Sequence, residues 1–470
     1  METVKIIIQI FIGVLGSLAT LLSITVFLRL NWPSPALWIL ALFVSALTPL
    51  LFVIGVLSVF VGLTTGSFFI SLICVYDVLF FFIHLFRVTR PPAFYSGFER
   101  AFGLGWENQI STEQKNRFLP GQKIIALPAV PIPRMEQDIS FATIPGTTRK
   151  LMCDVWQPNE AVPPSRLAFI YMHGSAWALL DKDVGTRLFF GHLAAQGHVI
   201  MDVAYRLAPE TDMMGMVNDV QRAIAWMKEN APTYDVNPNT IVVGGGSAGG
   251  HLALLTAYTA SNPQFTPEEL AGKDISVCGV VSLYGPTDLK AMYYHTNQHL
   301  TTRLNPGLVK KAVSFQLPEW IIKKMGKAYY HFNFDKDFAN AGVFASLLGG
   351  HPDECPEQYA LFSPVTHVHD NCPATILIHG EQDVRAPVKT TRILHKRLVE
   401  KNVPAVMHIL LQTDHAFDLI LPRVSLSAHT AIYDVQQFLA LKISDVKKSE
   451  VVTEKIEVSY DKWFVKFDIA

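Results

Sequence analysis

The chain has 470 residues, 50% of them hydrophobic, and its 39 Lys and Arg nearly cancel 40 Asp and Glu to leave a formal net charge of −1. That balance excludes a nucleic-acid partner, because phosphate binding needs a basic excess or a basic stripe. The five cysteines are scattered: Cys74 falls in an apolar segment, and Cys153, Cys278, Cys355 and Cys372 have no metal-binding or redox spacing.

Three apolar segments, 6–28, 36–62 and 67–86, carry most of the hydropathy. Each has about the 20 residues needed to cross a hydrocarbon core of roughly 30 Å. Residues 1–90 therefore read as a multi-pass transmembrane anchor. The first segment is too long for a signal-peptide core and has no small-residue cleavage site before Arg29. Asp77 and His84 interrupt the third, and Asp77 is expected to be a buried polar residue hydrogen-bonded between packed helices rather than a functional intramembrane acid. Arg29, Arg87 and Arg90 fall on one side if all three segments cross, with Lys5 alone opposing them. The positive-inside bias then places the large domain in the cytosol, and two crossings would reverse it. The absence of any Asn-x-Ser/Thr sequon agrees. The endoplasmic reticulum is the working assignment of the membrane.

Residues 91–134 read as a linker along the membrane surface. Pro91-Pro92 stops the third helix, and Phe94, Tyr95, Phe98, Phe102 and Trp106 suit either the interface or packing onto the next domain. That domain, 135–442, alternates strands and helices. Strands at 138–144 and 150–156 flank a Pro145-Gly146 turn as an antiparallel pair. Apolar runs at 167–172, 199–204, 241–243, 277–283, 374–378 and 405–411 then fit buried central strands. Helical stretches lie at 186–196, 216–229, 248–260, 389–401 and 427–441. The pattern predicts an α/β fold with a mostly parallel eight-stranded sheet covered on both faces, and chemistry at the strands' carboxyl ends. Residues 288–362 break the rhythm and read as a cap insertion. Its aromatics (Tyr293, Tyr294, Phe315, Trp320, Tyr329, Tyr330, Phe332, Phe334 and Phe344) suit an apolar acyl or alcohol pocket or the cap's own core. The tail, 443–470, is charged and β-prone and has no assigned role.

Chemistry concentrates at Gly245-x-Ser247-x-Gly249, where an apolar run breaks into small residues before a helix. This is the form of a nucleophile elbow, which lifts a serine hydroxyl clear of a sheet on a strained turn. The same residues also spell Gly244-x-Gly246-x-x-Gly249, a dinucleotide pattern. That pattern wants an acid about 20 positions on at a strand tip, whereas Glu268 and Glu269 lie in a Pro-flanked loop. A serine needs a base and the base an orienting acid. His415, in the loop after the last strand, is the best-placed base among 16 histidines, and Asp383 follows a strand and precedes it. The order Ser247, Asp383, His415 matches the hydrolase order of roles, with Glu381, Asp414 and Asp418 as rival acids. His173-Gly174-Ser175-Ala176-Trp177 follows the 167–172 strand. There the N–H groups of Gly174 and Ser175, with that of Ala248, form a candidate oxyanion hole.

Three motifs carry a resemblance. His173-Gly174-Ser175-Ala176-Trp177, Tyr205-Arg206-Leu207-Ala208-Pro209-Glu210 and Gly246-Ser247-Ala248-Gly249-Gly250 are similar, in order and spacing, to signatures of the hormone-sensitive-lipase-like (arylacetamide-deacetylase-like) carboxylesterases. The resemblance covers roughly 135–442 and implies an α/β-hydrolase fold and serine hydrolysis of carboxylic esters, with no metal or cofactor. The partners implied are a small-molecule ester substrate and membrane lipids. Three features depart from it. Ser175 and Ala176 replace glycines, and Gly246 stands where the family has Asp. His379-Gly380-x-x-Asp383 resembles the acid loop of formamidase-like and feruloyl-esterase-like hydrolases. Amidase or formamidase activity, acyl transfer, and a non-catalytic ligand-binding role on the same fold stay open. Tyr205–Glu210 is expected to form a structural turn with an internal ion pair, His173 to hold its loop, and His251 to pack.

Overall fold

The computed structural model describes residues 2–27, 35–174, 176–301, 344 and 347–444. Helices α1 (Glu2–Phe27), α2 (Pro35–Thr65) and α3 (Phe68–Val88) form an N-terminal bundle. All three are long and apolar enough to cross a membrane. Their packing inverts that of a water-soluble bundle. Leu18 and Leu21 on α1, Leu57 and Phe60 on α2, and Leu79 and Phe82 on α3 face outward, while Ser23, Thr48, Ser58, Ser71 and Asp77 are buried between helices. Small and polar residues at such interfaces let backbones approach and hydrogen-bond across. The Thr20 hydroxyl donates to Asp77 at 2.8 Å, and Ser45 meets His84 at 3.2 Å.

The stretch expected to be a linker packs tightly. It carries two short helices, α4 (Phe98–Phe102) and α5 (Thr112–Lys115). Phe98 and Trp106 are buried and stack at 4.5 Å, and Phe102 meets Phe438 at 6.3 Å. Phe94 and Tyr95 remain exposed. Phe98, Phe102 and Trp106 thus take the packing role.

Eight strands follow in one sheet: β1 (Arg134–Thr143), β2 (Lys150–Gln157), β3 (Ala168–Met172), β4 (Val199–Ala204), β5 (Ile241–Gly246), β6 (Gly279–Leu283), β7 (Ala374–Gly380) and β8 (Ala405–Leu410). Their order is β1-β2-β4-β3-β5-β6-β7-β8, with β1 and β2 antiparallel at one edge and β3 to β8 mutually parallel. This is the α/β-hydrolase fold. One face is covered by α7 (Met213–Glu229), α8 (Ala248–Tyr258) and, after α9 (Leu289–Thr301) and α10 (Pro356–Leu361), by α11 (Val388–Glu400). The other is covered by α6 (Arg187–Ala194), the buried aromatics of 98–106, and α12, residues 426–444.

β5 runs three residues further than the apolar pattern indicates. Gly244 and Gly245 still pair with β3 and β6, and Gly246 with β6. A side chain at Gly244 would lie 2.6 Å from the Phe169 ring, so glycine is what the neighbouring strand leaves room for. Most of the insertion, 302–343, lies outside the described residues, with Phe315, Trp320, Tyr329, Tyr330, Phe332 and Phe334 in it. Of its other rings, Phe344 is buried and meets Trp177 at 5.6 Å, and Tyr293 meets Phe344 at 6.4 Å.

The antiparallel edge buries two carboxyl groups directly opposite each other, Asp154 on β2 and Asp202 on β4. Lys182 pairs with Asp154 at 2.9 Å, whereas Asp202 accepts the Asp183 N–H at 2.7 Å. Burial, with the Asp154 and Asp183 charges nearby, pushes Asp202 up to about 8. Its unfolded value is about 3.9. Between those values the native state holds the extra proton, so this group's contribution to stability falls as pH rises. Thermal unfolding in detergent at about pH 5 and about pH 8 is expected to show that loss in the wild type and a smaller one in Asp202→Asn.

Candidate active site

β5 ends at Gly246 and α8 begins at Ala248, leaving Ser247 alone to make the turn, with φ 51° and ψ −120°. Positive φ is costly for a residue with a side chain. It is fixed here by the Ser247 N–H donating to Leu283 O at 2.9 Å and the Ser247 carbonyl accepting the His251 N–H at 3.0 Å. The turn closes only because its neighbours are small. A Cβ at Gly249 would stand 1.9 Å from the Met172 carbonyl oxygen, and one at Gly245 2.4 Å from the same atom.

Ser247 Oγ lies 2.8 Å from His415 Nε2, and His415 Nδ1 lies 2.7 Å from Asp383 Oδ2. A carboxylate only accepts, so Nδ1 carries the proton and Nε2 presents a lone pair to the serine hydroxyl. The histidine and acid loops meet this closely because Gly380 ends β7: a Cβ there would be 2.4 Å from Thr413 O.

Four acids surround the imidazole, and their environments separate them. Asp383 Oδ1 accepts the N–H groups of Arg385 at 2.8 Å and Ala386 at 2.7 Å. Its Oδ2 also receives His379 Nε2 at 3.1 Å. Burial alone would raise the Asp383 pKa, but the His415 charge and the bonds from both imidazoles hold it well below the ordinary carboxylate value. Asp414 turns to the backbone, accepting the His415 N–H at 2.6 Å and the Val384 N–H at 3.1 Å. Burial and the nearby Asp383 charge push it up to about 6. Asp418 accepts the Tyr284 hydroxyl, and burial pushes it up to about 6 against that bond. Glu381 accepts the Gln412 N–H at 3.3 Å. Asp383 is therefore the acid that faces the ring and stays ionised.

The oxyanion loop lies against the elbow. A Cβ at Gly174 would be 2.8 Å from Gly246 O and 3.1 Å from the Ser247 Cβ. Ala248 is the first residue of α8, where backbone N–H groups have no intrahelical acceptor. Ser175, the third expected donor, lies outside the described residues. His173 stacks on Tyr205 with ring centres 4.6 Å apart, and the Tyr205 hydroxyl donates to His173 O at 3.0 Å, which holds the loop from below. His251 packs as expected. Its Nδ1 accepts from Trp177 Nε1 at 3.2 Å, so its Nε2 donates to Phe362 O at 2.7 Å.

One expectation needs correction. The Tyr205–Glu210 turn has no internal ion pair: Arg206 reaches Asp219 on α7 at 2.7 Å and Glu210 reaches Arg149 at 2.6 Å, because the turn's two charged side chains point to different elements. Gly246, where the resembled family has Asp, leaves room for Tyr284, whose hydroxyl would be 2.8 Å from a Cβ there. That ring packs on His415 at 4.6 Å. Tyr284 and His379 therefore support the imidazole and its acid; no sequence pattern singles out Tyr284, and His379 stands out only as the first residue of the acid-loop motif. The dinucleotide pattern finds no acid either, since Glu269 is engaged by Arg222 at 2.9 Å. No cluster of three or more His, Cys, Asp or Glu suited to a metal exists among the described residues.

The chain is similar to several known proteins. A family model described as BD-FAE matches residues 153–330, and the prolyl oligopeptidase family model matches 334–440. Among curated proteins of Mycobacterium tuberculosis (strain ATCC 25618 / H37Rv), the chain is 28% identical to esterase LipC, over 57% of each chain. It is 30% identical to the probable carboxylic ester hydrolase LipM, over 61% of this chain and 57% of LipM. Esterase LipQ is 26% identical over 68% of each. The chain thus spans little more than half the length of LipC and LipM. Among solved structures, a truncated carbohydrate esterase from gut microbiota aligns with TM-score 0.47 and 19% identity, over 66% of this chain and 99% of that one. Esterase B from Lactobacillus Rhamnosis (HN001) aligns with TM-score 0.47 and 19% identity, over 72% and 93%.

The geometry makes a kinetic difference between two nearby acids. In Asp383→Asn the rate at which a fluorophosphonate labels Ser247 is expected to fall roughly 10⁴-fold, because an amide imposes the wrong imidazole tautomer. In Asp418→Asn, which alters the support of Tyr284, it is expected to fall by about tenfold or less, since no proton transfer is broken. Equal losses, read by mass spectrometry of the labelled peptide, would contradict the assignment.

Proposed function

We propose that this chain, a member of the α/β-hydrolase superfamily, is a membrane-anchored serine hydrolase that cleaves carboxylic esters of lipophilic small molecules through an acyl-enzyme. One observation carries the proposal: a serine on a strained elbow, 2.8 Å from an imidazole nitrogen whose partner nitrogen is 2.7 Å from a buried carboxylate. The mycobacterial esterases it matches favour esters as the substrate class.

Ser247 attacks the ester carbonyl as His415 Nε2 takes its proton, and the imidazolium formed is stabilised by Asp383. Charge developing on the carbonyl oxygen is met by the N–H groups of Ala248 and the Gly174 loop, each such donor contributing about 3 kcal/mol to transition-state stabilisation. The imidazolium then protonates the departing alcohol. Water enters by the same route and releases the acid. The positive charges after α3 favour the cytosolic side for the catalytic domain. The three helices long and apolar enough to cross a membrane support an anchored enzyme, and a bilayer is where lipophilic esters concentrate.

Turnover of a p-nitrophenyl ester series by the full-length protein in micelles tests this directly. Ser247→Ala is expected to lower kcat at least about 10⁴-fold, and mass spectrometry of the wild type during turnover should find Ser247 acylated. Undiminished activity in Ser247→Ala would refute the serine mechanism. A preference for acetate over longer acyl chains would refute the lipophilic substrate class alone.

A further inference from the structure

A second space lies behind the catalytic acid, where the membrane bundle meets the hydrolase domain. It is a cavity of about 370 Å³, inside the roughly 300–1,000 Å³ range of small-molecule sites. Thr25 and Val26 at the end of α1, and Ala41, Ser45 and Ala46 near the start of α2, form one wall. The loop from Glu381 to Lys389, Asp414 and Phe417 form the other. Its described lining includes Asp383 and Asp414 but not Ser247, His415 or Gly174, so it lies on the far side of the catalytic acid from the serine.

On that side α2 presents Ala41, Leu42, Ser45 and Ala46 to the cavity, while Leu40 and Phe43 point outward. The helix and the loop touch beside the gap, where the Arg385 guanidinium covers the Trp38 ring at 4.6 Å. Bulk on either wall would close the space.

The walls also state what fits. Two of the elements lining it, α1 and α2, are helices long and apolar enough to cross a membrane. Val26, Leu42, Val384, Val388 and Phe417 offer an apolar surface for an alkyl chain. Around them stand the carboxyl groups of Glu381, Asp383 and Asp414, the amine of Lys389 and the imidazole of His295, with the Arg385 guanidinium beside the gap; the carboxyl groups still outnumber the fixed positive charges, which disfavours a phosphate. Gln412, Ser45 and Thr25 suit hydroxyl groups. We propose that this cavity binds a neutral amphiphile of the bilayer, its alkyl chain against α1 and α2 and its uncharged hydroxyl head toward Gln412 and Asp414.

The test uses the full chain carrying Ser247→Ala in phosphatidylcholine nanodiscs, so that no probe is consumed. A diazirine-bearing monoacylglycerol is photolysed and the attachment sites are mapped by mass spectrometry. Label is expected on 38–46 and 381–389, at about ten times the level given by a diazirine-bearing lysophosphatidate. Ala41→Phe with Ala46→Phe should remove that label while leaving label on the outward Leu79 and Phe82 unchanged. If that pair fails to fold, Val388→Phe fills the cavity from the opposite wall and carries the same expectation. Equal labelling by the two heads, or label on 381–389 that survives filling, would overturn the proposal. Because Ser247 is absent, failure of ester hydrolysis in the wild type leaves this result unaffected.

Discussion

The bond from His415 Nδ1 to Asp383, 2.7 Å long in a buried setting, is the contact on which the site depends. Burying a carboxylate is costly unless it is paired and hydrogen-bonded. Asp383 meets that requirement with two backbone N–H groups and two imidazoles, the second from His379. Asp414 and Asp418 lie nearby with fewer donors, and burial raises both toward neutrality. Donor count thus makes Asp383 the most firmly ionised of these three, and its bond sets the proton position on His415 that leaves Nε2 free to serve the Ser247 hydroxyl.

A second constraint is steric and explains why parts of the fold are legible in the amino-acid order alone. The elbow must pass under the Met172 and His173 carbonyls, where a Cβ at Gly249 would approach within 1.9 Å and 2.8 Å. Only glycine fits, so the turn declares itself as a spelling. The buried parallel strands declare themselves for a related reason. Covered on both faces, they read as short unbroken apolar runs, and Val199–Ala204 appears with the limits the pattern gives it. The pattern stops β5 short because glycine signals a turn, although Gly244 answers to the Phe169 ring on the adjacent strand.

What the sequence conceals is whatever a side chain does across elements. His379 reaches forward to Asp383 over four residues, and Thr391 on α11 fixes its other nitrogen at 2.9 Å. Tyr284 follows β6, yet it fills the space above Gly246 and packs against His415. Neither role has a local pattern. The ion pairs of Arg206 and Glu210 escape for the same reason, since opposite charges four apart suggest each other while Asp219 and Arg149 come from distant segments. The aromatics of 94–106 are ambiguous in sequence because hydropathy alone does not distinguish a domain surface from a membrane interface; Phe98 and Trp106 take the former.

The same distinction bears on how the bundle and the hydrolase are joined. An anchor that only tethers needs no contact with its cargo beyond the chain. Here the end of α3 accepts the Thr430 hydroxyl at Val88 O over 3.1 Å, Met407 N–H donates to Ser96 O at 2.7 Å, and Trp38 of α2 lies under Arg385. Arg385 is two residues from Asp383, and its own N–H holds that carboxylate. The loop that orients the catalytic imidazole is therefore braced on its outer side by a helix of membrane-crossing length. A displacement of α2 relative to the sheet has a short physical path to the acid: ring to guanidinium, guanidinium to loop, loop to carboxylate.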